Sequence, residues 1–324
     1  MKRHIITFSF VATICCGAAA QTRPQQSMYM FNYSFLNPAA IGIEDYSQLR
    51  VGLRRQWAGI DGAPSTAWLS GDMRLHTKGQ STDAQPETYV ISKGHGLGFN
   101  LYSDKIGPYA TVNLNIGYAY HMPLSTGLTL SAGFAGGLHR TQYDLSKTVF
   151  PDQPTDPATV AQASMTKKYS PDMNAGILLN GKRFFTGLSL LQILPSRFVD
   201  VSNSESKYRK QLLGAIGYSF PLDDEGTGLW LSGILKTDFA GPLRYDVSAK
   251  LRFQHLFWIG STYRKDDAFG TGLGLNITKN LTVGYLYEWG IDRHISSYSK
   301  GSHEICIGFR FLKENQPNEA RMGW

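Results

Sequence analysis

The chain has 324 residues, of which 42% are hydrophobic, 12% aromatic and only 18% charged, against roughly 25% charged in ordinary soluble domains. Its formal charge of +7 is too small an excess to require a nucleic-acid partner, and its 3 Cys make neither a disulfide framework nor a zinc-ligand cluster. The length permits one large domain or two ordinary ones.

Lys2 and Arg3 open the chain with positive charge, a short apolar run follows over 5–14, and Ala18, Ala19 and Ala20 supply small residues for cleavage. This is the layout of a secretory signal peptide, 1–20, removed before Gln21. A membrane anchor is disfavoured, because the run is too short to cross ~30 Å of hydrocarbon as a helix. A lipidated Cys15 or Cys16 matches poorly with Thr13 and bulky Ile14 just before it. Cleavage leaves Cys306 alone.

The next stretch, MYMFNYSFLNPAAIG over 28–42, is apolar enough for a core helix, yet Asn32, Asn37 and Pro38 spoil both a clean helix and a clean strand. In an extended chain Tyr29, Phe31, Tyr33 and Phe35 share one side, and Asn37 with Pro38 ends the segment in a turn. After it, RRQWAGIDGAPST over 54–66 reads as a hairpin. Asp61 and Gly62 form the turn, Pro64 stops the pairing, and Arg54 and Arg55 fall on opposite faces, so that one enters a lumen and the other reaches an interface. Trp57 is placed to join an interfacial girdle.

From here no run of eighteen apolar residues occurs; strict alternation over nine or ten residues recurs instead, the length of strand that crosses a bilayer at a tilt. Val112, Leu114, Ile116, Tyr118 and Tyr120 share one face, with Asn113, Asn115 and Gly117 on the other. Tyr245, Val247, Ala249, Leu251 and Phe253 alternate with Asp246, Ser248, Lys250, Arg252 and Gln254. Strands are expected at 46–58, 63–76, 95–104, 108–121, 127–143, 172–180, 183–191, 207–220, 228–238, 244–254, 256–264, 268–278, 280–290 and 302–312. That is about fourteen, an even number, as bacterial barrels require. The fold class is therefore all-β: a transmembrane antiparallel up-and-down barrel over 46–312, a short N-terminal periplasmic segment over 21–45, and a periplasmic tail over 313–324. A soluble β-sandwich also alternates, but long strands repeating almost to the C-terminus, aromatics near strand ends and a signal peptide weigh against it.

The short links at 123–126, 181–182, 255 and 279 all fall on one side, the periplasmic side if both chain ends lie inside. The long links at 144–171, 192–207 and 291–301 fall on the other, and 77–94 is a periplasmic exception. FPDQPTDPATVAQAS over 150–164 holds three prolines and is expected to be an irregular outer loop. Segment 21–45 is expected in or under the periplasmic mouth as a plug or ledge, with Asn32 and Asn37 bonding to lumen groups; the alternative is an edge segment covering the lower rim.

Asp266 and Asp267, in YRKDDAFG, occupy a tight outer turn. Two adjacent carboxylates without a third ligand make a poor calcium site, so neither metal nor cofactor is expected. His303 and Glu304 open the last strand as a hydrogen-bonded wall pair. There is no GxSxG, HExxH or phosphate-binding Gly loop, so no enzyme activity is expected.

The ordered set MYMFNYSFLNPA, RQWAGIDGAPST, YRKDDAFGTGLGLNIT (263–278) and GSHEICIGFRF (301–311) resembles the PorP/SprF family of outer-membrane proteins, associated with the type IX secretion system of Bacteroidota. Its marks here are Tyr29, Phe31, Asn32, Asn37, Pro38, Arg55, Gln56, Trp57, Gly59, Asp61, Gly62, Pro64, Asp267, Phe269, Gly270, His303 and Glu304. The resemblance implies an outer-membrane component of protein export. Its partners would be outer-membrane lipid, periplasmic parts of the secretion machine, and cargo with a type IX C-terminal domain or a large gliding adhesin. The alternative function is a porin or small-solute transporter.

Overall fold

The computed structural model describes residues 23–75, 93–144, 167–194, 197–201, 204–207, 209–254, 256–291 and 293–312. The expected signal peptide, the proline-rich loop 150–164 and the tail 313–324 lie outside the described residues.

From Ser47 onward, period-two sequence becomes wall. The strands are β1 (Ser47–Arg55), β2 (Ser65–Leu75), β3 (Gly94–Ile106), β4 (Tyr109–Ser125), β5 (Leu128–Tyr143), β6 (Lys167–Gly181), β7 (Phe184–Leu191), β8 (Arg197–Val201), β9 (Ser204–Lys207), β10 (Gln211–Pro221), β11 (Gly228–Thr237), β12 (Arg244–Phe253), β13 (Phe257–Arg264), β14 (Ala268–Asn276), β15 (Leu281–Gly290) and β16 (Ser302–Phe311). Fourteen of them close an antiparallel barrel in which each strand pairs with its neighbours, and β8 with β9 forms a separate hairpin. Closure runs through β1 and β16, from Ser47 opposite Phe311 to Arg55 opposite His303. No barrel edge is left, which is the condition for a β-wall in hydrocarbon, where unpaired backbone groups cost several kcal/mol each.

The wall is inverted relative to a soluble protein. Ile116, Leu138 and Ile216 point outward and are 66%, 60% and 62% exposed, while Arg54, Asn115, Asp246 and Glu304 point inward and are buried. No helix among the described residues is long and apolar enough to cross a membrane. A ten-residue strand spans about 33 Å along its own axis, and roughly 25 Å of thickness at the usual barrel tilt.

Two expectations need correction. The link after β7 is not featureless, since it folds into the β8–β9 hairpin, while β7 pairs directly with β10 from Phe184 opposite Tyr218 to Leu191 opposite Gln211. And β6 starts at Lys167 rather than at 172, so that Pro171 lies within a strand, opposite Leu138. The reason is local. β7 pairs with β6 only between residues 175 and 180, so the first turn-side half of β6 has a ladder on one side alone, and an edge tolerates the missing N–H of proline. With 17 and 16 residues, β4 and β5 are also long, and together β4, β5 and β6 rise above β7 at one end of the barrel. That end is called the loop end below; the other, where β1 begins and β16 stops, is the terminal end.

Ile116 sits midway along β4 on the outer face. Ile116→Arg is expected to destabilise the barrel in lipid vesicles by about 2–4 kcal/mol, the cost of a cation at bilayer mid-depth, read from the denaturant midpoint of reversible unfolding. An unchanged midpoint would mean that this face does not meet hydrocarbon.

Candidate functional site: the occupied lumen

The lumen is filled by the chain's own residues. Tyr29–Phe35 and Pro38–Ala40 form two 3-10 helical turns, and every residue of both is buried. The extended segment read from alternating aromatics is thus corrected. The lumen surrounds the chain, so no side needs to be polar, and tight turns can aim rings in several directions. Tyr33 packs on Phe185 at 5.3 Å between ring centroids, and Phe35 meets Tyr102 edge-on at 5.4 Å. Asn32 breaks the first turn with φ −139° and ψ 59°. Asn37 caps the second, its Oδ1 accepting from the Ala39 N–H at 2.9 Å, with Pro38 at the first helical position, where its missing N–H costs nothing.

The plug is not confined to one mouth. Ser27 lies at the loop end among Arg54, Glu288, Glu304 and Arg264. Lower down, the Tyr29 hydroxyl bonds to Ser232 at 2.9 Å, and Asn37 Nδ2 donates to the Ile177 carbonyl of β6 at 3.0 Å. Towards the terminal end, the Ile41 carbonyl lies 2.9 Å from His121 Nε2, and the Gly42 N–H donates to Asp72 at 3.1 Å. Five residues later β1 begins. Two glycines make the passage possible. Gly42 turns the chain with φ +65°, and a Cβ on Gly133 would lie 2.6 Å from the Ala39 nitrogen.

Charge holds the top of the plug. Arg54 Nη1 donates to Ser27 Oγ at 2.8 Å and to Glu304 at 3.1 Å, and its Nη2 donates to Glu288 at 2.5 Å. Ser27 returns two donors: its N–H to Glu304 at 2.9 Å and its hydroxyl to Glu288. Arg264 Nη2 donates to the same Ser27 hydroxyl at 2.9 Å, and Nη1 reaches Asp267 at 3.0 Å and Glu288 at 3.5 Å. A second knot near the terminal end pairs Arg50 with Asp72, while Arg50 Nη1 also donates to the Phe31 carbonyl at 3.0 Å. On the β4–β6 wall, Asp172 accepts from Asn113 at 2.9 Å and from Asn115 at 2.8 Å. Outside the strands, the Asp238 carboxyl is held below the usual carboxylate range: partial burial opposes its charge, and the Gly241 and Ala240 N–H donors with Arg244 and Arg209 outweigh it.

The structure divides the residues singled out in the sequence. Tyr29, Phe31, Asn32, Asn37 and Pro38 belong to the plug; Asn32 Oδ1 accepts from Ser70 at 3.0 Å. Glu304 joins the charge knot directly, and Asp267 joins it through Arg264. Gly270 makes room beneath Glu288, whose Cγ would lie 2.9 Å from an added Cβ. Gln56, Trp57, Gly59, Asp61, Gly62 and Pro64 form the β1–β2 connection instead: the Gln56 N–H donates to the Pro64 carbonyl at 2.9 Å, and the Trp57 N–H to Ser302 Oγ at 3.1 Å. Strand structure stops at Arg55 and resumes at Ser65, because Trp57, Gly59 and Gly62 all take positive φ. Arg55 and Phe269 face outward, Phe269 stacking on Trp289 with centroids 6.0 Å apart. His303 and Glu304 are not a pair, since successive strand residues point to opposite faces; His303 bonds to the Tyr285 hydroxyl at 2.8 Å outside, and Glu304 points in. Arg54, not Arg55, is the arginine that enters the lumen, and Arg50, Asp72 and Glu288, which also point inward, belong to none of the quoted motifs. Their only mark in the sequence is a full charge on the polar side of an alternating strand.

The family model described as "Type IX secretion system membrane protein PorP/SprF" matches residues 18–309. Among curated proteins none matches the chain. Solved structures similar to it include the Acinetobacter baumannii outer membrane protein Omp33, at 10% identity and TM-score 0.47, over 83% of this chain and 100% of that one. The Ralstonia pickettii toluene transporter TbuX is similar at 9% identity and TM-score 0.48, over 87% of this chain and 92% of that one.

Removing Arg54 would leave two buried carboxylates facing Ser27 with less compensation, a loss of about 3–5 kcal/mol for a buried pair broken on one side. In a Cys306→Ser background, a Ser34→Cys thiol is expected to resist a water-soluble maleimide, and adding Arg54→Met is expected to raise its labelling rate about tenfold or more. Rapid labelling without Arg54→Met would place the segment outside the lumen.

Proposed function

Because the chain belongs to the PorP/SprF family of type IX secretion system membrane proteins, we propose that it is an outer-membrane component of protein export that works by binding other proteins rather than by conducting solutes. The observation that carries this reading is the plug. Residues from Ser27 to Gly42 cross the lumen from the loop end to the terminal end, bonded to opposite walls of the barrel. A barrel filled in this way has its two ends and its lipid-facing surface left for work.

In this reading a cleaved signal peptide directs export to the outer membrane. The terminal end, where all connections but the one between β2 and β3 are short, faces the periplasm and the periplasmic parts of the machine. The loop end, with the raised β4–β6 wall and the β8–β9 hairpin, faces outward towards cargo carrying a type IX C-terminal domain or a large surface adhesin such as those used in gliding. The protein acts without chemistry of its own: Arg50, Asp72, Arg54, Glu288 and Glu304 are spent on one another and on the plug, and the motif residues divide into plug, turn and wall.

A clean deletion strain, with complementation, followed by quantitative proteomics of medium, cell surface and periplasm, tests the proposal. Cargo is expected to leave the outside fractions and accumulate in the periplasm. Loss of many cargo proteins would mark a general machine part and loss of one adhesin a dedicated partner, whereas unchanged fractions would sink the export reading. The purified barrel in planar bilayers is expected to show no stable open channel; steady porin-like conductance would favour the solute-transport alternative.

A further inference from the structure

The lumen is not filled evenly. At the loop end, between the start of the plug and the wall formed by β7, β10, β11, β12 and β13, lies a cavity open to solvent. Arg23, Gln25 and Gln26 line its plug side, and Lys236, Arg244 and Arg264 line its wall, with Asp238 and Asp246 between them. Cations outnumber carboxylates in this lining, although Arg264 is also paired with Asp267 and Glu288, and Arg23 lies within the electrostatic reach of Asp172. Asp246 is shared by Lys236 at 2.6 Å and Arg264 at 3.4 Å, and Asp238 is shared by Arg244 at 3.8 Å and Arg209 at 4.0 Å.

Arg23 adds a further cation. It is 8% exposed, its guanidinium carbon lies 4.3 Å from the Phe35 ring centre, and its Nη1 is buried without a hydrogen-bond partner. Gln26, 4% exposed, has both amide atoms buried and unpartnered, and Gln25 Oε1 is unpartnered too. Buried polar atoms left in this state cost free energy, so a native structure that keeps several around one cavity calls for a partner.

The unmet groups define that partner. A guanidinium nitrogen asks for an anionic acceptor, a Gln Nε2 asks for an acceptor, and two Gln Oε1 atoms ask for donors. Sulfate would answer the cation and leave the carbonyl oxygens unmet, and hydrogen phosphate, with one or two hydroxyl donors on a single centre, would have to reach both glutamines at once. A peptide answers all of them, with a carboxylate for the guanidinium and backbone C=O and N–H for the side-chain amides. We propose that this cavity binds a short carboxylate-bearing peptide segment, the carboxylate set against Arg23 and the peptide backbone against Gln25 and Gln26. The carboxylate comes from a chain terminus or from an acidic side chain.

The test uses the full-length barrel purified in detergent and three fluorescent, N-acetylated tripeptides. These are Ala-Ala-Ala as the free acid, Ala-Asp-Ala as the C-terminal amide, and Ala-Ala-Ala amide, which has no carboxylate. Saturable binding is expected for at least one of the first two, roughly tenfold tighter than for the neutral peptide, and roughly tenfold weaker in Arg23→Gln. Preference for the free acid identifies a chain terminus, and preference for the Asp peptide identifies a side chain. Arg244→Gln, on the exposed side of the cavity, weakens binding in the same direction, which covers the case in which Arg23→Gln disturbs the plug. The proposal is overturned by equal binding of the neutral peptide, by affinity unchanged in both variants, by displacement at equal concentration by inorganic phosphate, or by no saturable binding at millimolar peptide. Binding is measured without any other secretion component, so failure here leaves the export reading standing.

Discussion

A polar wall sealed inside hydrocarbon must find its partners within the seal, and that constraint orders the rest of this molecule. Lipid can solvate the outward leucines and isoleucines, but it can do nothing for Arg54, Glu288 or Glu304. Water could serve in an open pore. Here the chain serves itself, with Ser27 placing one backbone donor and one hydroxyl among two carboxylates and two guanidiniums. Wall and plug are therefore one electrostatic unit, and the ion pairs that close the loop end of the seam between β1 and β16 also hold the plug in place.

Apolar packing follows the same logic in reverse. In a soluble protein the rings of Tyr29, Phe31, Tyr33 and Phe35 would look for a core, and in a barrel the only such space is the lumen. There they meet Trp68, Tyr102, Phe185 and Trp230, which project inward among polar neighbours. Burying an aromatic side chain of 150–250 Å² stabilises by roughly 4–6 kcal/mol at most. The polar backbone that must accompany those rings is accommodated by 3-10 bonds, an asparagine cap and wall hydrogen bonds. This makes the segment's sequence intelligible: aromatic enough for a core, yet interrupted by asparagines that bond to the wall and to neighbouring turns.

The wall was legible in the sequence and the interior was not. Alternation has a period of two, and it states both the element and its face, so the fourteen strands and the position of β12 or β16 could be read directly. Arg54 and Arg55 were likewise seen to part company across β1, although the pattern does not say which of them enters the lumen; the inward one is Arg54. The charge knot stayed hidden because its members are distant in sequence: Arg54 and Glu288 meet across 234 positions, and nothing in the local sequence of either points to the other. The plug's conformation was hidden for a different reason. A segment enclosed on all sides has no exposed face, so its hydrophobicity carries no period, and alternating aromatics suggested an extended chain where 3-10 turns form. The start of β6 was missed because Pro171 reads as a strand breaker until the one-sided pairing of that stretch is known.

A pore and an anchor make opposite demands on the same fold. Conduction needs a lumen whose charges are answered by mobile water and ions, so that a solute can exchange with them; an anchor needs charges answered by fixed groups, so that strain at one end is resisted by the whole wall. In this barrel Asp72 is bound by Arg50, Gln48 and the Gly42 amide, Asp172 by three asparagines, and Glu288 by two arginines and a serine. Each is fixed by groups from at least two parts of the chain. The raised β4–β6 wall is tied across the lumen through Asn37 and the packed rings of the plug, and the plug is tied to β1 through Arg50 and Arg54. The interior is built as a brace between opposite walls, and a braced barrel suits a component whose work is done at its ends.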